Sequence, residues 1–541
     1  MKLLKCVFVL SLTILLCSQS LFAQSRGVKS IEASSMKPPM KFLSATEFQG
    51  RNMPSVELEI ASKYIALMAE QIGLKPLMPD GSFFQEMPLE ITGVAEGASH
   101  VSMIAGGQRK TFHYPESFGI KGRYLAPGTA SGEVVFLGLG VSAPELGWDD
   151  YAGLDLKGKI AVLFDLRLPE NHPLNPTENR TLLTRRAGQL REKGVAAIIS
   201  IISPERETLL SSHGISFDNI ERGRPVDTTA PISSMQSSAL YQVEVRHEVA
   251  AALLGISPAD IAVMMDNTVK GKRVSPMLLI GTMAELAISF NTRRGSARNV
   301  VAYLEGSHPK LRREYVVLGS HHDGIGYRES VVFHGADDNN SGVIAMFELG
   351  KALMIERPKR SVIFVWHTGE EKGLLGAYHF VSHCPVPVEN ISANLNMDML
   401  CRNHPDSLYL IGSNKLSSSL DRSINEMNKK YIKLKLDYKY ESPAHPDRFF
   451  FRSDQYPYIR YGIPGVWFFC GTTEDYHQEK DIEERVDYKK LEKVTKLVYY
   501  TLMDIGNKPQ MLKLDLHPEV TTRGAHNIKV SWQPPAQQRS R

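Results

Sequence analysis

Histidine and acidic residues follow directly after apolar runs at four points in the C-terminal half of the chain. His321 follows REYVVLGS, Glu370 and Glu371 follow SVIFVWHTG, Asp398 follows ANLNM, and His477 follows GVWFFCGTTEDY. Because open α/β sheets place ligand sites at the C-terminal ends of their strands, these side chains are expected to converge. Asp398 ends an apolar run, where an unpaired carboxylate is unfavourable, so a cation beside it is expected.

A further acidic cluster, Asp337 and Asp338, lies in the glycine-rich loop GADDNNSG, just before a helical pattern. Imidazole and carboxylate ligands without a thiolate are typical of a catalytic zinc site. Two histidines and three carboxylates are too many for one catalytic ion and sufficient for two ions that share a carboxylate. Side chains from these five points in the chain are therefore predicted to bind two Zn²⁺ ions. Co²⁺ or Mn²⁺ could replace zinc in such an oxygen-rich site.

The elements that must position these residues begin at about Ser289. Apolar runs such as SVIFVWHT alternate there with helical patterns such as SGVIAMFELGKALM. This alternation predicts an α/β domain with a mixed, largely parallel sheet sandwiched by helices.

Patterns nearer the N-terminus predict a leader, an approach segment and a helix. Residues 1–23 combine a basic start, an apolar run and Ala23, which is typical of a secretory signal peptide. The protein is therefore expected to be exported, periplasmic or secreted, without a stable membrane span after cleavage; lipoprotein anchoring through Cys17 is less favoured. Residues 24–40 are polar and end in Pro38-Pro39, which predicts a mobile approach segment. Apolar spacing over Ser55–Gly73 predicts an amphipathic helix that stops at Gly73.

The middle of the chain has a different pattern. Residues 96–280 contain short β-rich runs, one helical pattern around Leu182–Lys193, and no cluster of ligand-type residues, so we expect a separate inserted module. The expected division is 1–23, 24–95, 96–280, 281–510 and a polar, basic tail at 511–541.

Composition excludes several classes of protein. The 541 residues are 43% hydrophobic and 23% charged, with a formal charge of 63 − 59 = +4. This balance gives no reason to expect nucleic acid or an anionic membrane as a partner. Three cysteines remain after the predicted leader, none in a CxxC pair, which excludes a disulfide scaffold and a thiolate zinc site.

Five segments in succession resemble the metal motifs of the M28 family of zinc peptidases: SHHDG, GADDNNSG, HTGEEKGLLGAYHF, NMDM and TTEDYHQEKD. The resemblance covers roughly residues 285–505 and implies a zinc exopeptidase fold, of the phosphorylase/hydrolase-like type, and a peptide substrate. DLKGKIAVLFDL and GVAAIISI, within 96–280, resemble the protease-associated domain that is often inserted in such enzymes.

The resemblance also implies roles for individual residues. His321 and Asp398 would hold one zinc ion, Glu371 and His477 the other, and Asp337 would bridge them. Asp323 would accept the spare N–H of His321. Glu370 would act as general base, taking a proton from a metal-bound water to leave a hydroxide shared by the ions, and would return that proton to the leaving amine. The Asp337–Asp338 peptide bond would be cis.

Several alternatives remain open at this point. An aminopeptidase is favoured, but arginines in the same region keep a glutamate-carboxypeptidase-like activity open: Arg402, Arg448, Arg452 and Arg460. A glutaminyl-cyclase-like acyltransferase with a single zinc and a catalytically inactive, receptor-like module are further alternatives. Four residues are candidate donors to a tetrahedral oxyanion: His445, Tyr456, Tyr458 and Tyr461. The sequence predicts no oligomeric state.

Overall fold

A computed structural model describes residues 25–121, 127–169, 171–174, 180–217, 221–226, 240–328, 331–442, 444–517, 520 and 522–524. Within these ranges the chain forms two compact units. The first unit comprises Met1–Leu89, Pro225–Ala230 and Gly295–Arg541, and the second comprises Glu90–Arg224 and Pro231–Arg294. The predicted signal peptide and most of the predicted tail lie outside the described residues.

The sheet that carries the first unit is built from strands in three parts of the chain, one of which is the single strand Glu221–Pro225 beside Phe84–Val94. Its other strands, with a small hairpin, are β1 (Lys75–Pro76), β2 (Phe84–Val94), β3 (Phe290–Leu304), β4 (Tyr315–His321), β5 (Gly326–Arg328), β6 (Val331–Phe333), β7 (Ser361–His367), β8 (Ile391–Met397), β9 (Ser407–Ile411), β10 (Lys435–Asp437) and β11 (Gly465–Phe469). The helices are α1 (Ala33–Leu43), α2 (Val56–Ile72), α3 (Ser341–Ile355), α4 (Leu375–Ser382), α5 (Ser413–Leu416), α6 (Ser418–Met427), α7 (Gln455–Arg460) and α8 (Tyr488–Asn507).

Four parallel strands form the centre of this sheet. The strand order is β2-β3-β7-β4-β8-β11-β9-β10, with β7, β4, β8 and β11 mutually parallel and β3 and β9 antiparallel to their inner neighbours. The C-terminal ends of the four parallel strands therefore meet at one edge. The mixed, largely parallel sheet predicted from the sequence is confirmed.

Alternate side chains of the central strands enter two separate cores. Val316 and Leu318 of β4 pack in the larger core with α1, α2, α3 and α8. Val317, between them, packs on the opposite face with Phe380 of α4 and Tyr458 of α7. Helices thus cover both faces, which is why these strands are apolar throughout rather than alternating.

Helix α2 confirms the prediction for Ser55–Gly73. The Ser55 hydroxyl accepts a hydrogen bond from the Leu58 N–H at 3.1 Å and caps the first turn. Gly73 ends the helix in the left-handed conformation, at φ 95°, which glycine adopts without strain.

The prediction that residues 24–40 form a mobile approach segment is wrong. Helix α1 covers Ala33–Leu43 and includes both prolines, Pro38 and Pro39. Its residues Met36, Met40 and Leu43 are at most 1% exposed and belong to the larger core. Apolar burial of this kind, about 1.5–3 kcal/mol for each large side chain, outweighs the proline penalty.

The second unit contains its own sheet and core. The strands of this sheet are His100–Ala105, Gln108–His113, Phe118–Ile120, Gly128–Phe136, Ile160–Phe164, Ala197–Ile201, Tyr241–Val245 and Met277–Ile288, and Ser142–Ala143 with Trp148–Asp149 forms a separate hairpin. The helices of the second unit are Arg180–Glu192, Pro204–His213, His247–Leu254 and Pro258–Val269. Ile160–Phe164 and Ala197–Ile201 are parallel neighbours at the centre of the sheet. The helix predicted around Leu182–Lys193 is present with slightly earlier bounds.

Among the described residues, no single helix has the length and apolar character needed to cross a membrane. Helices His247–Leu254 and Pro258–Val269 meet that criterion only as a pair, bent by 96°.

Candidate metal centre and catalytic site

His321, the last residue of β4, lies beside two carboxylates at the C-terminal edge of the parallel strands. Its Nε2 atom is 3.3 Å from Asp338 Oδ1 and 3.5 Å from Asp398 Oδ1. Asp398 directly follows β8, the strand next to β4. These three side chains are buried and form the first ligand group of the site.

A second ligand group lies on the other oxygen of the same aspartate. His477 Nε2 is 3.1 Å from Asp338 Oδ2 and 3.3 Å from Glu371 Oε1. Glu371 follows β7, and His477 lies in the loop after β11 with φ 55°. The structure therefore brings four of the five predicted ligands together: His321, Glu371, Asp398 and His477.

The prediction of Asp337 as the bridging carboxylate is wrong, because Asp338 occupies that place. Asp337 is buried, but its Oδ1 accepts hydrogen bonds from the Cys401 N–H at 2.9 Å and the Cys401 thiol at 3.0 Å. Its Oδ2 accepts from the Cys470 thiol at 3.2 Å. Adjacent residues of the loop point their side chains in different directions, so only Asp338 joins both groups.

The expected cis peptide bond is also displaced by one residue. It joins Asp338 to Asn339, not Asp337 to Asp338.

Asp323 acts on the site differently from the prediction. His321 Nδ1 contacts the main-chain carbonyl oxygen of Asp323 at 3.1 Å, whereas the Asp323 carboxylate is 3.7 Å away. That carboxylate instead accepts the main-chain N–H groups of Glu370 at 3.0 Å and Glu371 at 3.3 Å. Asp323 therefore fixes both the imidazole of His321 and the turn that carries Glu370 and Glu371.

The two ligand groups fit a pair of zinc ions. Tetrahedral zinc with bonds of about 2.0–2.1 Å separates its ligand atoms by roughly 3.3 Å, and the separations here are 3.1–3.5 Å. His321 Nε2, Glu371 Oε1 and Asp398 Oδ1 are buried and have no hydrogen-bond partner in the described part of the chain. Buried polar atoms are rarely left unsatisfied, so these three atoms mark positions for cations.

Electrostatics leads to the same conclusion. Four carboxylates with side chains only 5–10% exposed share the site: Asp338, Glu370, Glu371 and Asp398. Burial, together with neighbouring carboxylates, raises the pKa of Glu370 well above its usual range and that of Asp398 to about 6. Burial opposes ionisation of Asp338 too, but the adjacent imidazoles of His321 and His477 hold its pKa below the usual range. Bound cations would relieve this repulsion.

Glu370 lies within reach of the ligands without belonging to either group. Its Oε2 atom is 4.0 Å from His321 Nε2. It lines a cavity together with Asp338 and Asp398. This arrangement suits a carboxylate that exchanges protons with a group between the ligands.

The same cavity has an aromatic wall and a polar rim. Phe449, Trp467 and Phe469 form the wall, and Arg452 and Tyr476 line the rim. Burial, with the negative charges of Asp338 and Glu371, raises the pKa of Tyr476 above its ordinary value, so its hydroxyl is protonated.

None of the four predicted oxyanion donors is among the described residues that line this cavity, and Tyr476 was missed. Tyr458 is fully buried, with its hydroxyl 2.9 Å from His367 Nε2. Tyr456 packs on Phe451, and His445 packs on Phe449. Tyr461 lies in the apolar core beneath α4 and α7. The position of Tyr476, one residue before His477, was the signal available in the sequence.

Other polar residues, which the sequence analysis did not identify, form hydrogen bonds that support the ligands. The Ser453 hydroxyl donates to Asp398 Oδ2 at 2.5 Å, and the Trp467 indole donates to the Asp398 main-chain oxygen at 2.8 Å. The Asp481 carboxylate accepts the main-chain N–H groups of Asp337 at 2.8 Å and Asp338 at 3.0 Å. These contacts fix the direction of the Asp338 and Asp398 carboxylates.

Known proteins are similar to this chain in sequence and in fold. Residues 299–502 match the model of Peptidase family M28. A probable leucine aminopeptidase 2 from Aspergillus oryzae is 30% identical over 226 residues, which cover 41% of this chain and 41% of that protein. A probable zinc metalloprotease from Pyrenophora tritici-repentis is 26% identical over 252 residues, 39% of this chain and 57% of that protein. In both cases the match covers less than two thirds of the relative.

Solved structures show the fold over most of the chain. A zinc aminopeptidase from Bacillus subtilis, BSAP, is 17% identical with a TM-score of 0.53, over 90% of this chain and 99% of its own. An aminopeptidase from Aneurinibacillus sp. strain AM-1 is 17% identical with a TM-score of 0.50, over 91% and 97%. The resemblance predicted from the five motifs is thus confirmed over residues 299–502, which match Peptidase family M28.

Proposed function

We propose that this protein is an exported, zinc-dependent aminopeptidase that binds two zinc ions and hydrolyses peptide bonds. The observation that carries the proposal is the pair of ligand groups that share Asp338, with buried, unpartnered atoms on His321, Glu371 and Asp398. His321 and Asp398 would hold one ion, Glu371 and His477 the other, and Asp338 would offer one oxygen to each. When bound, the ions would polarise the scissile carbonyl group and make a nearby water molecule more acidic.

Glu370 carries the proton in this proposal. As a carboxylate its Oε2 accepts a proton from the attacking water, and it then returns that proton to the leaving amine. The Asp323 carboxylate keeps Glu370 in place through its main-chain N–H group.

Tyr476 supplies a protonated hydroxyl group in the same cavity as Glu370. A hydroxyl there can donate a hydrogen bond to the negative charge that develops on the carbonyl oxygen. The wall of Phe449, Trp467 and Phe469 suits an apolar side chain of the peptide and excludes water from the reacting atoms.

Aminopeptidase is preferred because two relatives with this fold are named aminopeptidases, and a sequence relative is named a leucine aminopeptidase. The basic and apolar start of the chain supports export. The runs DLKGKIAVLFDL and GVAAIISI support the assignment of the second unit as a protease-associated domain.

Substitution Glu370→Gln tests the proposed base. We expect the variant and the wild type to retain two zinc equivalents, measured by elemental analysis. Turnover of aminoacyl and peptide substrates should fall by about 10²–10⁴ in the variant, because the proton acceptor is lost. Glu474→Gln, which alters a carboxylate that is 84% exposed, should leave both quantities unchanged. Unchanged turnover in Glu370→Gln would exclude this role, and one zinc per saturated wild-type chain would exclude the two-ion site.

A further inference from the structure

Arg452 is the one arginine or lysine among the described residues that line the cavity with Glu370. It follows Phe449–Phe451 in the chain and precedes Ser453, which holds Asp398. The positively charged guanidinium of Arg452 thus lies on the rim of the cavity in which the scissile bond would be placed.

The Arg452 guanidinium is held by neutral groups. It donates a hydrogen bond to the Tyr476 hydroxyl oxygen at 3.0 Å. Its central carbon lies 5.2 Å from the ring centre of Phe449 and 5.9 Å from that of Tyr476. No carboxylate of the described residues pairs with it, so ring faces and one hydroxyl orient the guanidinium while its charge stays unmatched.

The other arginines of this region differ in their surroundings. Arg402 pairs with the buried carboxylate of Asp475 and lies 4.0 Å from Asp481. Arg460 donates to the Tyr378 hydroxyl at 3.4 Å, and Arg448 lies over the Phe451 ring. Neither Arg402, Arg448 nor Arg460 is among the described residues that line the cavity.

The guanidinium group itself favours an anion beside Arg452. Arg452 is exposed and lines the cavity, and no carboxylate of the described residues forms an ion pair with it. A guanidinium with free N–H groups matches the geometry of a carboxylate and binds it through two parallel hydrogen bonds.

We propose that Arg452 binds a carboxylate of the peptide substrate and so selects peptides with a negative charge next to the scissile bond. This inference rests on the proposed peptidase function and names its substrate class. The carboxylate has two possible sources: the free α-carboxylate of a dipeptide, or the side chain of aspartate or glutamate at the scissile bond. Both present the same group to Arg452.

Three matched substrate pairs distinguish the sources. Leu-Leu against Leu-Leu amide tests the α-carboxylate. Leu-Glu amide against Leu-Gln amide, and Glu-Leu amide against Gln-Leu amide, test side chains on either side of the scissile bond. We expect the acidic member of at least one pair to be preferred about tenfold or more in kcat/KM. The reason is that its carboxylate forms a charge-assisted hydrogen bond with Arg452, which the neutral partner cannot form. Arg452→Gln should abolish that preference, and Arg452→Lys should keep part of it because the charge remains.

Binding supplies a readout independent of turnover. In the Glu370→Gln background, calorimetry should give tighter binding of the preferred acidic peptide than of its neutral partner, and Arg452→Gln should remove the difference. Arg448→Gln, a neighbouring exposed arginine, should retain the preference.

Two outcomes would overturn the assignment of Arg452. One is a wild type that treats acidic and neutral partners alike; the other is an Arg452→Gln variant that lowers kcat/KM equally for both. Hydrolysis of the amides in either case would leave the peptidase function intact. If the zinc-loaded wild type cleaves no peptide of the panel, the proposed function itself fails.

Discussion

Asp337 and Asp338 are adjacent aspartates with different surroundings, and this difference can be measured. Asp338 presents one oxygen to His321 and the other to His477. Substitution Asp338→Asn removes the shared charge from both ligand groups. We expect the zinc content to fall below two equivalents and turnover to fall at least about a hundredfold, measured by elemental analysis and peptide hydrolysis.

Asp337→Asn is the matched comparison. Its side chain contacts Cys401 and Cys470 rather than the ligand groups, so zinc should still bind. The amide cannot accept all of the hydrogen bonds that the carboxylate accepts, and the free energy of unfolding should fall by about 1–3 kcal/mol in a denaturant titration. A loss of zinc from Asp337→Asn, with zinc retained by Asp338→Asn, would restore the original prediction.

The sequence predicts the type and order of the ligands but not the direction of each side chain. His321 ends β4, Asp398 directly follows β8 and Glu371 lies four residues after β7, so the strand order largely determines where they lie. Asp337 and Asp338 lie in an irregular loop that begins with Gly335 at φ 63°. There the direction of a side chain depends on loop torsions and on distant partners such as Cys470, which a sequence pattern does not contain.

Helix α1 allows a test of how an element is held in place. Met40 is fully buried in the larger core, whereas Lys41 beside it is exposed. Met40→Ala should lower the free energy of unfolding by about 2–5 kcal/mol, because a cavity forms in the core. Lys41→Ala should change it by less than about 0.5 kcal/mol. Equal stability of Met40→Ala and wild type, measured by denaturant unfolding, would mean that this segment does not dock as described.

The elements differ in how far they could be predicted. The central strands are apolar because both faces are buried, and that pattern is visible in the sequence. Helix α1 carries Pro38 and Pro39, which locally favour an irregular segment, and its stability comes from packing on the larger core. Local signals identify an element only where local preference and tertiary packing agree.

At the scale of the whole molecule, the change of pattern along the chain predicts a separate module but not its bounds. The second unit begins at Glu90 and ends at Arg294, whereas the predicted module runs from 96 to 280. Strands β2 and β3 continue past these positions, so no turn or change of composition marks either boundary in the sequence.

The stability of the second unit should depend on pH through His172. His172 is buried: its Nδ1 accepts the Leu174 N–H at 3.0 Å, and its Nε2 is 2.9 Å from the Thr268 carbonyl oxygen. The neutral ring satisfies both contacts, and burial lowers its pKa from the usual value of 6.5. Below about pH 6.5 the unfolded chain therefore binds a proton that the folded unit does not, and stability falls as pH falls.

Substitution His172→Gln should flatten this dependence, because glutamine does not titrate but keeps a donor and an acceptor. Trp148, whose ring centre lies 5.5 Å from that of His172, is a natural fluorescent reporter of unfolding in this unit. The midpoint of denaturant unfolding that Trp148 reports should fall in the wild type as the pH is lowered from about 7.5 to 5.5. It should fall equally in His113→Gln, which alters an exposed histidine and serves as the control. It should fall less in His172→Gln. Equal slopes in all three proteins would show that another group causes the pH dependence, and a wild-type midpoint that rises as pH falls would reverse the assigned direction of the pKa shift.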